Sequence, residues 1–336
     1  MMHFLALALL PLVLGSPVTP RGEEALTYDG YEGYEELSHA TNKYIDIALA
    51  PEEAAKFKKL GLKWEEKMKN IGDAVRKEKF DKWKGTSSRH HIFWHGQVHA
   101  REWITGMTLE YITWNMINEY KNRNVEIYII PFINPDGFVY SVEVDRLYRK
   151  NRQAPPPGAN QTCFGVDLNR NWPWNWDTNP QGSSTDPCSQ AYRGTSPGSE
   201  PEMKYMKGLV DNIARQQGIK FYIDWHSYGN YILSPWGYTC SALPQDSAQL
   251  VSLGEQTAQV IEAVNGQNLT TGPTCQTLYA VNGGSLDYVY DVAEADLSYA
   301  FELRDQGQFG FVLPPDQIRP TGEEHWQGML YLLQNM

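Results

Sequence analysis

The chain has 336 residues, of which 41% are hydrophobic and 12% aromatic, a composition that supports a buried core and excludes disorder throughout. Its formal net charge is -11 and its sequence pI is near 5.2. This acidic balance argues against nucleic acid as a partner, because phosphate binding requires a basic face.

The first residues follow the pattern of a secretory leader. A short apolar run over residues 4–14 is followed by small residues and Pro17. We therefore predict a signal peptide over residues 1–16 and a secreted, extracellular protein. N-glycosylation sequons at Asn160 and Asn268 are compatible with this route. No later segment approaches the roughly 20 apolar residues of a membrane helix, so no membrane association is expected.

The composition and the hydrophobic pattern of the chain change near residue 90. Residues 17–89 are rich in lysine and glutamate and lack cysteine, whereas short β-branched and aromatic runs then alternate with helical periods. Strands are predicted at 91–94, 125–132, 221–225 and 298–303, and helices at 103–120 and 249–264. Strands interleaved with helices of this length predict an α/β sheet with helices on its faces and functional residues at the strand ends.

Three residues near predicted strand ends have the chemistry of metal ligands. His99 and Glu102 lie between the strand at 91–94 and the helix that follows, and His226 ends the strand at 221–225. A catalytic zinc site uses three protein ligands of these types and leaves a fourth position for water. Each residue alone is better explained by a polar helix start or a hydrogen-bonded histidine, but the three together favour a zinc site.

Glu302 is the candidate general base. Alternation along its strand predicts that Ala300, Glu302 and Arg304 share one face and that the opposite face enters the core. A carboxylate on such a strand is costly unless it is paired or works in a cleft. A structural ion pair with an arginine remains the alternative.

Two clusters provide positive charge. Arg149 lies in a basic run together with Lys150 and Arg152, and Asn169-Arg170 follows a separate short apolar stretch. Arginine forks match a carboxylate bidentately, so the clusters suit a substrate with a free carboxylate near the bond to be cut. For Lys150 and Arg152 we expect a solvated basic surface instead.

The four cysteines fit an oxidising compartment, and three connectivities are open to them. We favour the sequential pairing Cys163–Cys188 and Cys240–Cys275. It closes two modest loops, each of which stabilises the fold by about 3–4 kcal/mol if unstrained.

At its motifs the chain closely resembles the secreted zinc carboxypeptidases of the carboxypeptidase A type. The resemblance covers about residues 90–336, and the motifs occur in the family's order. They are His99-Ala100-Arg101-Glu102-Trp103, Asn134-Pro135-Asp136-Gly137, Gly165-Val166-Asp167-Leu168-Asn169-Arg170-Asn171-Trp172, Trp225-His226-Ser227-Tyr228, Gly283-Gly284-Ser285 and Phe301-Glu302-Leu303-Arg304-Asp305.

The resemblance implies a mixed central β-sheet sandwiched by helices and one Zn²⁺ per chain. It assigns the metal to His99, Glu102 and His226, the general base and acid to Glu302, and polarisation of the scissile carbonyl to Arg149. The substrate-binding residues that it implies are Asn169 and Arg170 at the terminal carboxylate, Tyr279 closing over it, Arg101 and Tyr228 along the approach, and Leu286 at the floor of the side-chain pocket.

An apolar floor at Leu286 offers no partner to a charged side chain. We therefore expect a secreted exopeptidase that removes single C-terminal residues and prefers aromatic or branched aliphatic ones. Its partners would be peptide or protein C-termini and an activating protease, and it would act as a monomer. Two alternatives are a catalytically impaired zinc-binding homologue and a zinc amidohydrolase of small N-acyl amino acids.

The N-terminal third departs from the family's plan. Residues 17–89 look like part of an inhibitory propeptide and run almost directly into the catalytic domain at 90–336, with no counterpart of the opening hairpin of the sheet. One interpretation is a shortened zymogen cleaved at a basic residue such as Lys82, Lys84 or Arg89. The other is an incomplete sequence whose sheet lacks an edge.

Overall fold

A computed structural model describes residues 90–119 and 125–336 of the chain. The predicted signal peptide at 1–16 and the propeptide-like segment at 17–89 lie outside the described residues.

The described residues contain a six-stranded mixed sheet. Its strands are β1 (His90–Gly96), β2 (Val125–Ile130), β3 (Ile219–Ser227), β4 (Tyr231–Ser234), β5 (Thr270–Pro273) and β6 (Leu297–Leu303). Their spatial order is β2-β1-β3-β6-β4-β5. Only β4 and β6 pair antiparallel, and the other neighbours in this sheet are parallel. The mixed sheet expected from the sequence is confirmed.

Helices cover both faces of the sheet. They are α1 (Trp103–Glu119), α2 (Pro135–Glu143), α3 (Pro201–Gln217), α4 (Ser247–Asn265), α5 (Thr274–Thr277), α6 (Ser285–Asp291) and α7 (Ile318–Asn335). Apolar side chains of α1, α4 and α7 share one core with the sheet, and those of α3 and α6 share a second core on the other face. In the part of the chain described, these helices lack the combined length and hydropathy of a membrane span.

Because side chains alternate along each strand, the sheet contributes to the cores on both of its faces. Phe221, Ile223 and Trp225 of β3 enter the core that α1, α4 and α7 cover, whereas Tyr222 enters the opposite core. Tyr299 and Phe301 of β6 lie in the first core, so that Ala300 and Glu302 face the other way and line a cavity.

The predicted strands and helices are found within two residues of their expected bounds. The sequence patterns did not indicate α2, α3, α5, α6, α7, β4 and β5. Strands β4 and β5 have only four residues each, too few to display a period, and they owe their place to pairing with β6 and with each other.

Both predicted disulfides are present. Cys163 and Cys188 join two parts of the irregular segment between α2 and α3, with their Cα atoms 4.8 Å apart. Cys240 and Cys275 join the segment after β4 to α5, with a Cα separation of 4.9 Å. Both bridges therefore brace irregular backbone that has little sheet or helix pairing of its own.

Arg304 does not share a face with Glu302, and this expectation was wrong. Strand β6 ends at Leu303, so the alternation ends there as well. Arg304 is buried and its Nε atom donates to Glu324 Oε1 of α7 at 3.0 Å, while a second guanidinium nitrogen pairs with Oε2. The pair ties the end of the central strand to the C-terminal helix.

We predict that Arg304→Met lowers the free energy of unfolding by about 3–5 kcal/mol, because it leaves the Glu324 carboxylate buried without its cation. The double variant Arg304→Met/Glu324→Leu should recover most of this loss. Urea unfolding followed by tryptophan fluorescence measures both. Arg319→Ala, which removes an exposed partner of Glu323, is the matched control and should leave stability unchanged. A double variant no more stable than Arg304→Met alone would contradict the prediction.

Candidate metal centre and adjoining cleft

Three neighbouring parallel strands bring the candidate residues together. β1, β3 and β6 end at the same edge of the sheet, and His226 of β3 lies opposite Glu302 of β6 in the strand register. His99 follows β1 by three residues, and a tight turn in which the Glu102 amide donates to the His99 carbonyl at 3.1 Å leads into α1. The predicted ligands thus meet because parallel strands share a carboxyl edge.

His99, Glu102 and His226 form one compact buried group. The Nδ1 atom of His99 lies 2.9 Å from Glu102 Oε1, that of His226 lies 3.1 Å from Glu102 Oε2, and the two Nδ1 atoms are 3.2 Å apart. One ligand atom from each residue lies within 4.8 Å of the others. Two imidazoles and a carboxylate that converge from one side suit zinc, with a fourth position open toward the cleft.

The outer nitrogens of both histidines face carboxylates. His99 Nε2 lies 3.1 Å from Asp167 Oδ1, and His226 Nε2 lies 2.9 Å from Asp224 Oδ2. Such partners fix the ring orientation and make the inner nitrogen a better metal ligand. Sequence reasoning missed both aspartates, although Asp167 lies within a quoted motif and Asp224 is a charged residue in an otherwise apolar strand.

The carboxyl groups around the centre differ in their electrostatics. Burial opposes ionisation of Glu102, but the neighbouring His99 and His226 imidazoles hold its pKa well below the usual value. Burial, with a further contribution from the Glu102 charge, instead raises the pKa of Glu302 to about 8. The structure shows no ion pair between Glu302 and any arginine of the described residues. Glu302 therefore lines the cavity without a fixed counter-ion, and burial favours its protonated form in the metal-free protein.

Arg149 contacts two carboxylates beside the candidate metal ligands. Its Nη2 and Nε atoms donate to Asp167 Oδ2 at 2.9 and 3.1 Å, and Nη1 lies 3.7 Å from Glu102. Asp167 therefore contacts both His99 and Arg149. A single buried carboxylate thus sets the position of one candidate ligand and of the cation predicted to polarise the substrate.

Asn169 and Arg170 lie on a 3₁₀ turn that Asp167 caps. The Asn169 amide donates to Asp167 Oδ1 at 3.0 Å, and Asn169 Oδ1 accepts a hydrogen bond from the Ser285 amide at 2.9 Å. Arg170 is 5% exposed, and its buried Nε atom has no hydrogen-bond partner among the described residues. An arginine held in this way has donors available for an anion in the cleft.

All eleven residues that the sequence proposed for the site line one cavity of about 290 Å³. They are His99, Arg101, Glu102, Arg149, Asn169, Arg170, His226, Tyr228, Tyr279, Leu286 and Glu302. The cavity also has apolar walls that the sequence did not indicate, formed by Leu233, Leu278, Val281, Ala300 and Phe311.

The mouth of the cavity is aromatic. The Arg101 guanidinium carbon lies 4.1 Å from the centre of the Phe311 ring, and Tyr228 packs edge-on against the same ring at 4.8 Å. Tyr279 lies on the rim with half of its surface exposed. An exposed tyrosine there has room to move toward a bound ligand.

The expectation of a solvated basic surface is wrong for Lys150. This residue is 3% exposed and its Nζ atom donates to the Pro187 carbonyl at 2.6 Å. Arg152 is partly buried, and its guanidinium stacks on Tyr140 at 3.7 Å. Both side chains stabilise the irregular segment beside the cleft. The run of basic residues in the sequence does not indicate this role.

Comparisons with known proteins agree with this arrangement. Residues 63–328 match the zinc carboxypeptidase family. Metallocarboxypeptidase A of Trichophyton rubrum is 45% identical over 257 residues, which are 74% of this chain and 60% of that protein. Carboxypeptidase A4 of Mus musculus is 36% identical over 260 residues, 75% of this chain and 60% of that protein. The chain spans 56–60% of the length of these curated relatives.

Solved structures show the same fold. Bovine thrombin-activatable fibrinolysis inhibitor, solved with a tick carboxypeptidase inhibitor, has a TM-score of 0.68 at 32% identity and covers 74% of this chain and 84% of its own. Carboxypeptidase A from Helicoverpa armigera has a TM-score of 0.67 at 33% identity, over 74% of this chain and 61% of its own. With the sequence match over most of its length, these similarities show that the chain belongs to the zinc carboxypeptidase family.

Proposed function

We propose that this protein is a zinc-dependent exopeptidase that removes single residues from the C-termini of peptides and proteins. The observation that carries the proposal is the convergence of three kinds of group on one cavity. The cavity is lined by two imidazoles and a carboxylate of the kind that bind zinc, by a glutamate without a fixed counter-ion and an arginine-asparagine pair, and by apolar side chains.

His99, Glu102 and His226 would hold one zinc ion, because one ligand atom of each lies close to the others. The outer nitrogen of each histidine already contacts an aspartate. When bound, zinc supplies a Lewis acid for the carbonyl oxygen and lowers the pKa of a water molecule.

The other cavity residues position the substrate. Arg170 and Asn169 donate to the terminal carboxylate of the peptide, and Tyr279 closes over it from the rim. Arg149 donates to the carbonyl oxygen of the scissile bond, where negative charge develops. Arg101 and Tyr228 line the approach of the residues that precede the bond.

Glu302 carries the proton. Its carboxylate takes a proton from the water whose oxygen bonds to the scissile carbon, and returns it to the amine nitrogen as the carbon–nitrogen bond breaks. Burial raises its pKa in the metal-free protein, and a cation in the cavity would favour the carboxylate form that takes the proton from water.

The pocket favours aromatic and branched aliphatic C-terminal side chains. Leu286 forms its floor, and it is 6% exposed. The adjacent Asp287 also reaches the cavity, but its carboxyl group accepts the Gly237 and Tyr238 amides at 2.9 Å, and burial raises its pKa to about 7. It is therefore a poor counter-ion for a lysine or arginine side chain.

The leader-like pattern at residues 1–16 and the two disulfides support export to an oxidising compartment. We place the mature protein outside the cell, as a monomer released from its propeptide-like segment by another protease.

Blocked dipeptides that end in Phe, Leu, Lys or Glu test the activity, before and after trypsin treatment and with or without a zinc chelator. We expect chelator-sensitive release with a higher kcat/KM for Phe and Leu than for Lys and Glu. No release by folded, zinc-loaded protein would favour a catalytically impaired homologue. Hydrolysis confined to small N-acyl amino acids would favour the amidohydrolase alternative.

Leu286→Asp tests the pocket separately from the chemistry, with Leu286→Ile as the matched control. A carboxylate on the floor should lower kcat/KM for Phe by about 10–200-fold and raise it for Lys, whereas Ile should change little. An unchanged Phe-to-Lys ratio in Leu286→Asp would remove Leu286 from its assigned place.

Glu302→Gln should lower kcat by about 10²–10⁴-fold, because the amide cannot accept the proton of the attacking water. It should retain one zinc ion per chain by elemental analysis, since Glu302 is not among the converging ligands. Glu323→Gln, on the exposed side of α7, is the control and should keep full activity. Wild-type turnover by Glu302→Gln would exclude the proposed role.

Zinc affinity should rise more steeply with pH in the wild-type protein than in Glu302→Gln between pH 6 and 8. The pKa of Glu302 is about 8 without metal, so the group is mostly protonated below that pH. A cation in the cavity favours the carboxylate form of Glu302, so zinc binding at lower pH must release the Glu302 proton. The free-energy cost of this release falls as the pH rises. Competition with a fluorescent chelator measures the two slopes. Equal slopes of zinc affinity against pH in the two proteins would show that zinc binding does not change the protonation of Glu302.

A further inference from the structure

A row of buried polar side chains in contact with one another runs behind His226, away from the cleft. Asp224 lies two residues before His226 on β3, so both side chains leave the same face of the strand. Asp224 is fully buried, and its Oδ2 atom lies 2.9 Å from His226 Nε2. Unlike His226, Asp224 is not part of the cavity lining.

Two further groups contact Asp224, and a third, the Tyr222 hydroxyl, contacts one of them. Ser285 donates its hydroxyl to Asp224 Oδ2, and His95 Nδ1 lies 3.3 Å from Oδ1. His95 belongs to β1 and lies opposite Asp224 in the strand register, and its Nε2 atom is 2.5 Å from the Tyr222 hydroxyl. His95, Asp224 and Ser285 are all 0% exposed. The Ser285 hydroxyl and the His226 ring both contact Oδ2 and set its position, whereas Oδ1 has the His95 contact but no hydrogen bond among the described residues.

The aspartates behind the two candidate histidine ligands therefore differ in their other contacts. Asp167 behind His99 also binds Arg149, which lines the cavity, so a change there disturbs several parts of the site at once. Asp224 contacts His226, Ser285 and His95, and Asp224 and His95 do not line the cavity. Asp224 contacts one candidate metal ligand directly, His226, and reaches Asn169 only through the Ser285 backbone.

A second contact of the same nitrogen decides how the ring is protonated. The Asn169 side-chain nitrogen lies 3.1 Å from His226 Nε2, and it would have to donate to that atom. Asp224 requires the opposite arrangement, with a hydrogen on Nε2. The charged carboxylate is the stronger partner and lies closer to Nε2, at 2.9 Å, so we assign the hydrogen to Nε2. This leaves the Nδ1 lone pair for a metal and keeps the Asn169 amide free to donate elsewhere.

We propose that Asp224, which accepts a hydrogen bond from Ser285 and contacts His95, is the positioning residue for His226: it fixes the ring tautomer that presents Nδ1 to zinc and leaves Asn169 available for the substrate carboxylate. The inference rests on the proposed function, because it assumes zinc at this centre. It assigns a role to a buried contact between His95 of β1 and Asp224 of β3 that the catalytic scheme does not use.

Asp224→Asn tests the proposal, with the dissociation constant for Zn²⁺ measured by chelator competition and the visible spectrum of the Co²⁺-loaded protein as readouts. We expect the constant to rise by about 10–100-fold and the cobalt bands to shift, because the neutral amide no longer fixes the ring. Asp296→Asn, which removes an exposed partner of Lys220, is the matched control and should alter neither readout. A wild-type dissociation constant and cobalt spectrum in folded Asp224→Asn would overturn the proposal.

His95→Gln provides a second variant if Asp224→Asn does not fold. Since His95 reaches the metal only through Asp224, His95→Gln should weaken zinc binding less and shift the cobalt bands. Its effect should vanish in the Asp224→Asn background when that protein folds. Wild-type values of both readouts in His95→Gln would overturn the proposal where Asp224→Asn cannot be studied.

The outcomes separate this inference from the proposed function. If the wild type releases C-terminal residues in a chelator-sensitive way but the variants bind zinc as it does, only the positioning role is wrong. If the variants lose zinc affinity but the wild type releases no residue from any peptide, only the exopeptidase activity is wrong.

Discussion

The burial of several carboxylates at one edge of the sheet is the constraint on which the rest of this structure depends. Glu102, Asp167 and Asp224 are each at most 2% exposed, and Glu302 lies beside them. Isolated charges of this kind would be expensive to bury, so each needs a cation or a donor. The imidazoles of His99 and His226 and the guanidinium of Arg149 meet part of this need. Of these four carboxyl groups, Glu302 is the one without an ion pair to a described residue, and it faces the cavity.

The scaffold makes this arrangement rigid from both sides. Large side chains from β1, β3 and β6 fill two cores, so the strands that carry the polar residues cannot shift past one another without disturbing tightly packed groups such as Trp94, Trp225 and Phe301. The irregular segment between α2 and α3 carries Arg149 and the Asn169-Arg170 turn. A disulfide, the buried Lys150 and the aspartate cap of the turn hold it in place.

Much of the site was predictable because its motifs are local. The order strand, histidine, glutamate, helix places His99 and Glu102 in one turn, and an apolar strand that ends near His226 brings a third ligand to the same edge. The disulfide pairing also followed from loop lengths. Prediction failed where a side chain's environment comes from distant parts of the chain. Lys150 is buried by the loop that contains Pro187, and Arg304 pairs with Glu324 of the last helix, so neither behaves as its neighbours in sequence suggest.

The sequence by itself determined the class of fold, the metal-type residues and the candidate base, since each depends on residue chemistry and on periods of two or 3.6 residues. Only the tertiary structure decided which aspartate stands behind which histidine, and that the eleven candidate residues share one cavity with apolar walls. Contacts such as His95 with Asp224 join β1 to β3 across more than a hundred residues of chain. Strand order and register set such contacts, and neither is written in the local pattern of either strand.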